Sequence, residues 1–240
     1  MPNNNDVVVI NSFSDILCVW AYVAQIRVDE LHQKRGGVVD LKFHFMPMFG
    51  STASKIDQNW QSRGGRKAYA EHVIAVGQRF DHLEIHPDVW MKNVPPSSAS
   101  CHHLLKAVEL LVEKGLLPAG PQDELSGRYV VEEMAWRLRL AFFRDVRDIS
   151  QRKCQFEIAE ELKIPTEALA DVLDSGEAMA ALFDDFALKE TYKVYGSPTF
   201  VFNEGRQILF GNVGYRAIDA TVEELLHHAD EGDDDAPLWC

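Results

Sequence analysis

The sequence has few cysteines, few basic residues and no long apolar run. Four cysteines are spread over 240 residues, which is too sparse for a disulfide scaffold and typical of a reducing compartment. The 24 Lys and Arg residues face 37 Asp and Glu, for a formal charge of -13, so no basic block is available to neutralise a nucleic-acid backbone. No stretch approaches the ~20 apolar residues of a membrane span. These absences argue against nucleic acid and membrane as partners.

What is present is ordinary globular composition. Hydrophobic residues make up 46% of the chain and charged residues 25%, which argues against intrinsic disorder. Residues 1–6 carry neither the basic region nor the apolar region of a secretory signal. We therefore expect a soluble, cytoplasmic protein with free thiols.

The first 47 residues predict a βαβ unit. Residues 7–10 form a short continuous apolar run, which favours a buried central strand. Helical spacing follows over about 18–34 and stops at Gly36. Residues 39–45 then alternate between apolar and polar side chains, the pattern of a second strand.

The rest of the chain predicts a helical middle and a ββα end. Apolar residues at helical spacing indicate helices near 65–80, 98–114, 122–143, 150–162, 166–173 and 178–194. Strands are predicted at 199–202 and 207–210 around a hairpin turn, followed by a helix over 216–228 and an acidic tail over 231–235. Together these elements predict one α/β domain with a helical subdomain grown out of its middle.

Cys18 lies at the predicted junction between the first strand and the first helix. Unpaired backbone N–H groups and the positive end of the helix dipole favour a thiolate there, which predicts a lowered pKa and a nucleophilic sulfur. The alternative is that Cys18 is a small buried hydrophobe, as free cysteines often are. Asp15 is a candidate cap of the same helix, and its charge would oppose a thiolate.

A second candidate feature is the turn before the third strand. Gly196, Ser197 and Pro198 precede the apolar residues of that strand, and a proline there removes a ladder donor. The pattern predicts a tight turn into the strand, in which a cis peptide bond is one option.

Four stretches in order along the chain resemble one family. They are residues 14–22 (S-D-I-L-C-V-W-A-Y), 96–102 (P-S-S-A-S-C-H), 140–150 (L-A-F-F…R-D-I-S) and 196–200 (G-S-P-T-F). The chain from about residue 6 to 227 resembles the DsbA-like group of thioredoxin-fold proteins, with relatives among the FrnE-type oxidoreductases, 2-hydroxychromene-2-carboxylate isomerase and kappa-class glutathione transferase.

The resemblance implies a fold and a site. The fold is α/β, thioredoxin-like (βαβ…ββα), with residues 6–58 and 194–228 as the thioredoxin-like domain, 59–193 as an inserted all-helical subdomain and 229–240 as an acidic tail. In the family the position of Cys18 holds the attacking thiol, or a serine in the isomerase and kappa branches. The family's proline, here Pro198, is cis and lies against that thiol. The remaining candidate substrate-binding residues are Ser197, Thr199, Trp20, Tyr22, Ser97 and Ser98.

The sequence departs from the family pattern at the residue that matters most for redox turnover. Ala21 stands where the family has a resolving cysteine, so Cys18 alone cannot complete a dithiol cycle. Release of a mixed disulfide would need an external thiol, which makes glutathione a candidate co-substrate although no bound cofactor is expected. Cys101 or Cys154 could act as the resolving thiol, but both fall in patterned helices that favour a packing role. Val19 and Ser97 also differ from the family's proline and asparagine.

Two further groups of residues are weaker candidates. His82, His86, His102 and His103, with Cys101, match no zinc spacing, so no metal site is predicted. Residues 63–67 (R-G-G-R-K) form a glycine-containing basic loop that lacks the P-loop pattern. That loop is either solvated or a site for an anion such as a glutathione carboxylate.

Three hypotheses about function follow. The first is a monothiol oxidoreductase in which Cys18 attacks a disulfide or glutathione adduct of a small or peptidic thiol substrate. The second is a glutathione-dependent isomerase or transferase, which would tolerate Cys18→Ser. The third is a non-catalytic binding module, which is favoured if Cys18 is buried and unreactive. Related folds often dimerise, so a homodimer is one option, by fold-level analogy alone.

Overall fold

The computed structural model describes residues 7–230. Residues 231–240 of the predicted acidic tail lie outside them, whereas residues 229 and 230 belong to the last helix and not to a tail. Its strands are β1 (Val8–Ser14), β2 (Val39–Phe45), β3 (Thr199–Phe202) and β4 (Gln207–Phe210). Its α-helices are α1 (Val19–Arg35), α2 (Gly65–Gly77), α3 (Ala99–Glu113), α4 (Val130–Phe143), α5 (Arg152–Glu161), α6 (Thr166–Ser175), α7 (Glu177–Thr191) and α8 (Tyr215–Asp230).

The four strands form one mixed sheet in the order β2-β1-β3-β4. β1 pairs with β2 in parallel and with β3 antiparallel, and β3 and β4 form the antiparallel hairpin. The parallel pair requires a crossover, which α1 supplies. The carboxyl end of β1 therefore leads directly into α1, where Cys18 lies.

Helices cover both faces of the sheet. Apolar residues of α1 and α8, such as Val28 and Val222, pack on the face that carries Ile10 and Phe200. On the opposite face, Phe13 and Val201 pack against residues of α7 and the segment after it. A third and larger core joins the helices between β2 and β3 to the first turns of α1. The start of α1 is thus enclosed between the sheet and the inserted helices.

The sequence predicted the thioredoxin-like α/β fold with its helical insertion, and the structure has it. β2, β3 and β4 have the predicted bounds. β1 is longer than predicted and continues to Ser14, because its polar Asn11 and Ser12 are buried in the sheet. Among residues 7–230, no helix combines the length and the apolar character that crossing a bilayer requires.

One predicted helix begins too early. The prediction placed its start at residue 122, whereas α4 begins at Val130. Ser126 and Gly127 have φ of +60° and +79°, which no helix accommodates, and Gln122 forms an isolated bridge with Arg128. The division into domains at 58/59 and 193/194 remains a prediction.

Candidate active site

Cys18 is the N-cap residue of α1, and only 8% of it is exposed. Its thiol donates a hydrogen bond to the carbonyl oxygen of Ser197, with Sγ and O 3.2 Å apart. Burial raises the pKa of the Cys18 thiol, and Asp15 adds to that rise. Hydrogen bonds from the Ser197 side chain and the Ala21 N–H act in the opposite direction but do not prevail. The predicted lowered pKa is therefore wrong, because desolvation outweighs the effect of the helix terminus.

Asp15 is fully buried and ties together the segments around Cys18. Its Oδ1 accepts from Leu17 N at 2.8 Å, and its Oδ2 accepts from Phe49 N at 2.9 Å and from Ser98 Oγ at 2.7 Å. The backbone N–H of Asp15 donates to Ser197 Oγ over 2.9 Å. The prediction that Asp15 caps α1 is wrong, since α1 has no side-chain cap. Its carboxylate instead joins the loop before α1 to the segments after β2 and before α3.

The proline loop lies directly against Cys18. The Ser197–Pro198 peptide bond is cis, and Pro198 is buried. Thr199 is also buried, and its Oγ1 donates to the carbonyl of Gly196 at 2.8 Å, which closes the turn. Ser197 is half-buried and contacts both Cys18 and Asp15. Cys18, Ser197 and Pro198, predicted from separate stretches, are thus brought together by β1 and β3 pairing side by side.

Four other predicted residues have different surroundings. Tyr22 is a core residue: it stacks on Phe143 at 4.9 Å and its hydroxyl donates to Glu84 O, and a role for it in substrate binding stays a prediction. Ser98 is fully buried and its hydroxyl donates to the Asp15 carboxylate, and a substrate contact of Ser98 stays a prediction. Ser97 Oγ accepts from the backbone N–H that begins α3. Trp20 is half-buried with its ring edge-on to Phe80.

Three further side chains surround the loop before α1: sequence reasoning missed Tyr69 and Arg139, and it considered His102 only as a metal ligand. Tyr69 on α2 is buried, and its electrostatic neighbours are Cys18 and Asp15. His102 on α3 is fully buried, and its Nε2 accepts the backbone N–H of Ile16 at 3.1 Å. Arg139 on α4 is buried and donates to Ser14 Oγ, four residues before Cys18. Arg139 could have been found, because it interrupts the apolar stripe of α4 formed by Val131, Met134, Ala135, Leu138 and Phe142.

The other candidate groups stay apart. Cys101 is fully buried and its thiol donates to the carbonyl of Ile149, and Cys154 is buried on α5. The nitrogens of His82 and His86 are engaged with Val23 O and Asp88 N. In the described part of the chain, no three His, Cys, Asp or Glu side chains converge to hold a metal ion. The predicted basic loop over 63–67 is wrong for its second half, because α2 begins at Gly65, and Arg66 in that helix forms an ion pair with Asp57.

No curated protein matches this chain in sequence. Several solved structures share its fold. The cytosolic disulfide reductase DsbM from Pseudomonas aeruginosa has a TM-score of 0.60 at 19% identity, over 93% of this chain and 97% of that chain. A 2-hydroxychromene-2-carboxylate isomerase has a TM-score of 0.61 at 12% identity, over 94% and 100%. BdbD from Bacillus subtilis has a TM-score of 0.55 at 15% identity, over 95% of this chain and 91% of that chain.

These likenesses, at such low identity, show the fold. The family follows from the sequence itself, since the model of the DSBA-like thioredoxin domain matches residues 9–223. The strand-to-helix junction at Cys18 and the proline loop both lie inside the matched range. The chain belongs to the family of DSBA-like thioredoxin domains.

Proposed function

We propose that this protein is a monothiol oxidoreductase that transfers glutathione between thiols through Cys18. The observation that carries the proposal is the contact between the Cys18 thiol and the Ser197 carbonyl, which places the sulfur against the proline loop at the start of α1. A thiol in that position attacks a disulfide once it ionises. Ala21 occupies the place of a resolving thiol, so the second thiol comes from solution.

The proposed cycle has two balanced steps. The Cys18 thiolate attacks the glutathione sulfur of a mixed disulfide R–S–S–G. The S–S bond breaks, a Cys18–S–S–G bond forms, and the RS⁻ that leaves takes up a proton from water. A glutathione thiolate then attacks the glutathione sulfur of the adduct, which releases oxidised glutathione and restores Cys18. The sum is RSSG + GSH → RSH + GSSG.

Membership of the family supports thiol chemistry in general. Among the neighbours, one structure is described as DsbM with GSH, which makes glutathione a reasonable co-substrate to test here. We extend the proposal to a cytoplasmic location, in keeping with four sparse cysteines.

Burial of Cys18 favours a second candidate. A thiol that is 8% exposed and has a raised pKa is weakly nucleophilic at rest, as expected of a non-catalytic binding module. The isomerase alternative differs again, because a hydroxyl at position 18 would suffice for it.

The experiment uses the full chain with Cys101, Cys154 and Cys240 changed to serine, so that Cys18 is the sole thiol. Incubation with oxidised glutathione should add one glutathione to Cys18, read by mass spectrometry. A glutathionylated peptide should then be reduced catalytically when glutathione is added, and Cys18→Ser should abolish the turnover.

Each alternative has its own result. Absence of an adduct at pH 9, with the protein folded, would contradict the redox proposal and leave the binding module. Conversion of a chromene carboxylate that persists in Cys18→Ser would instead favour the isomerase.

A further inference from the structure

Arg139 carries a positive charge into the core beneath the candidate site. Only 4% of it is exposed. Its Nη2 donates to Ser14 Oγ at 3.1 Å and its Nη1 to Gln25 Oε1 at 3.3 Å. Both acceptors are neutral, and the Nε N–H has no partner within residues 7–230. The guanidinium therefore has an incomplete set of hydrogen bonds.

The charge of Arg139 also lacks a carboxylate partner. None of the ion pairs formed by the described residues includes Arg139. Glu132 is on the same helix as Arg139, but its carboxylate accepts from Gln25 Nε2 at 2.7 Å and lies 2.9 Å from His32 Nε2. Burial lowers the pKa of Arg139 to about 10, which still leaves it charged at neutral pH. Buried charges normally have a counter-ion, so its absence at rest requires a reason.

The position of Arg139 next to the candidate site explains why it has no counter-ion at rest. A cavity of about 30 Å³ is lined by Arg139, Ser14, Ala21 and Pro198, so the guanidinium lies under both the first turn of α1 and the proline loop. This cavity is large enough for only about two water molecules. In its ionised form, Cys18 is the foremost of the groups that favour the charge of Arg139, ahead of Asp15 and Glu132.

The charged and titratable groups around Arg139 and Cys18 come from four parts of the fold. Asp15, in the loop before α1, favours the charged form of Arg139 and disfavours a thiolate at Cys18. Tyr69 on α2 has a raised pKa and is neutral at physiological pH. His102 on α3 faces Asp15, and burial lowers its pKa, so it is neutral as well.

Two further charged residues lie on or next to α4. Glu132 favours the charged form of Arg139, and Arg128, just before that helix, opposes it. Arg139 is thus the buried cation of the group.

We propose that Arg139 is a positioning residue whose buried charge stabilises the Cys18 thiolate when that sulfur attacks a substrate. When Cys18 ionises, the S–H bond breaks, the proton passes to a base in solution and the electron pair stays on Sγ. The thiolate then provides the counter-ion that the guanidinium lacks at rest. The inference rests on the function proposed above.

The test measures how the rate of Cys18 alkylation by iodoacetamide depends on pH, in the chain with Cys18 as its sole cysteine. Arg139→Met removes the charge and should raise the midpoint by about one pH unit, with a rate at pH 8 about tenfold lower. Arg139→Lys keeps the charge and should restore most of that rate. Arg137→Met is the matched control, because Arg137 is on the same helix but exposed and paired with Glu133, and its midpoint should not change.

A midpoint unchanged in folded Arg139→Met, or a Lys variant as slow as the Met variant, would overturn the proposal. If Arg139→Met does not fold, Arg139→Gln removes the charge but keeps an amide that can donate to Ser14 Oγ, and the same shift is expected of it. If Cys18 of the parent is not alkylated at any pH, the proposed function fails and this inference with it. A reactive parent with no shift on loss of Arg139 overturns this inference alone.

Discussion

The thiol of Cys18 and the carbonyl oxygen of Ser197 are 3.2 Å apart, with the thiol as the donor. The two residues are 179 positions apart in sequence and meet because β1 and β3 are neighbours in the sheet. The contact holds the sulfur in its protonated form at rest, since only S–H can donate to a carbonyl. A substrate that engages Ser197 would also release this hydrogen, so binding and ionisation of Cys18 are linked in the proposed reaction.

The raised pKa of Cys18 makes stability depend on pH in the alkaline range. The folded state retains the thiol proton at a pH where the unfolded chain has lost it, so stability falls as pH rises above about 9. Cys18→Ser does not ionise and should lose less stability. Urea unfolding at pH 7 and pH 10 measures both; an equal loss in the two proteins would contradict the prediction.

Replacing Asp15 tests the set of contacts around Cys18. In Asp15→Asn one carboxylate oxygen becomes an amide NH₂, which cannot accept the hydrogen bonds from Phe49 N and Ser98 Oγ or the one from Leu17 N. Each donor left unpaired costs about 1–3 kcal/mol. Since Asp15 raises the pKa of Cys18, the alkylation midpoint should also fall. Asp184→Asn, on the surface, is the control; unchanged unfolding in Asp15→Asn would refute the role.

Gly196 has no room for a side chain beside the proline loop. A Cβ there would lie 1.9 Å from Cε2 of Phe210, whose side chain is exposed on β4. Because the Phe210 ring is exposed and can turn away, Gly196→Ala should displace that ring and destabilise the fold by about 1 kcal/mol. In a Phe210→Ala background most of this loss should disappear. Gly37→Ala, which meets nothing within 4 Å, is the control, and purely additive effects at positions 196 and 210 would count against the contact.

Glu109 should make stability depend on pH near neutrality. It lines a cavity of about 290 Å³ beside β2, and burial raises its pKa to about 7 although Lys106 opposes the rise. Asp185 and Glu113 add to it. The folded state holds a proton that the unfolded chain loses, so stability should fall as pH rises from about 4.5 to 7.

Glu109→Gln removes the titratable carboxyl group and should flatten the pH dependence of the free energy of unfolding, as measured by urea unfolding at pH 5 and pH 7.5. Exposed Glu167→Gln should leave it as in the parent. If the free energy of unfolding of Glu109→Gln still falls between pH 5 and pH 7.5, the pH dependence belongs to another group.

Much of the fold could be predicted because it depends on local periodicity. The alternation over 39–45 gave β2 its bounds, and the apolar run of the hairpin gave β3 and β4 theirs. The error at the start of α4 arose where backbone at positive φ, at Ser126 and Gly127, breaks a helix without any change in hydrophobic spacing. Cys18 and Pro198 were predicted from element boundaries together with the family resemblance; the structure brings the two segments into contact, and their catalytic role stays a prediction.

The sequence alone determined the order of elements, the lone thiol at the start of α1 and the proline that enters β3, since these are local properties of the chain. Only the tertiary structure decided the state of that thiol. Its protonation depends on burial by the inserted helices, on the carbonyl of Ser197 and on the charge of Asp15. The unpaired cation at Arg139 was decided in the same way. Desolvation and pairing arise from residues far apart in sequence, and no periodicity records which of them will meet.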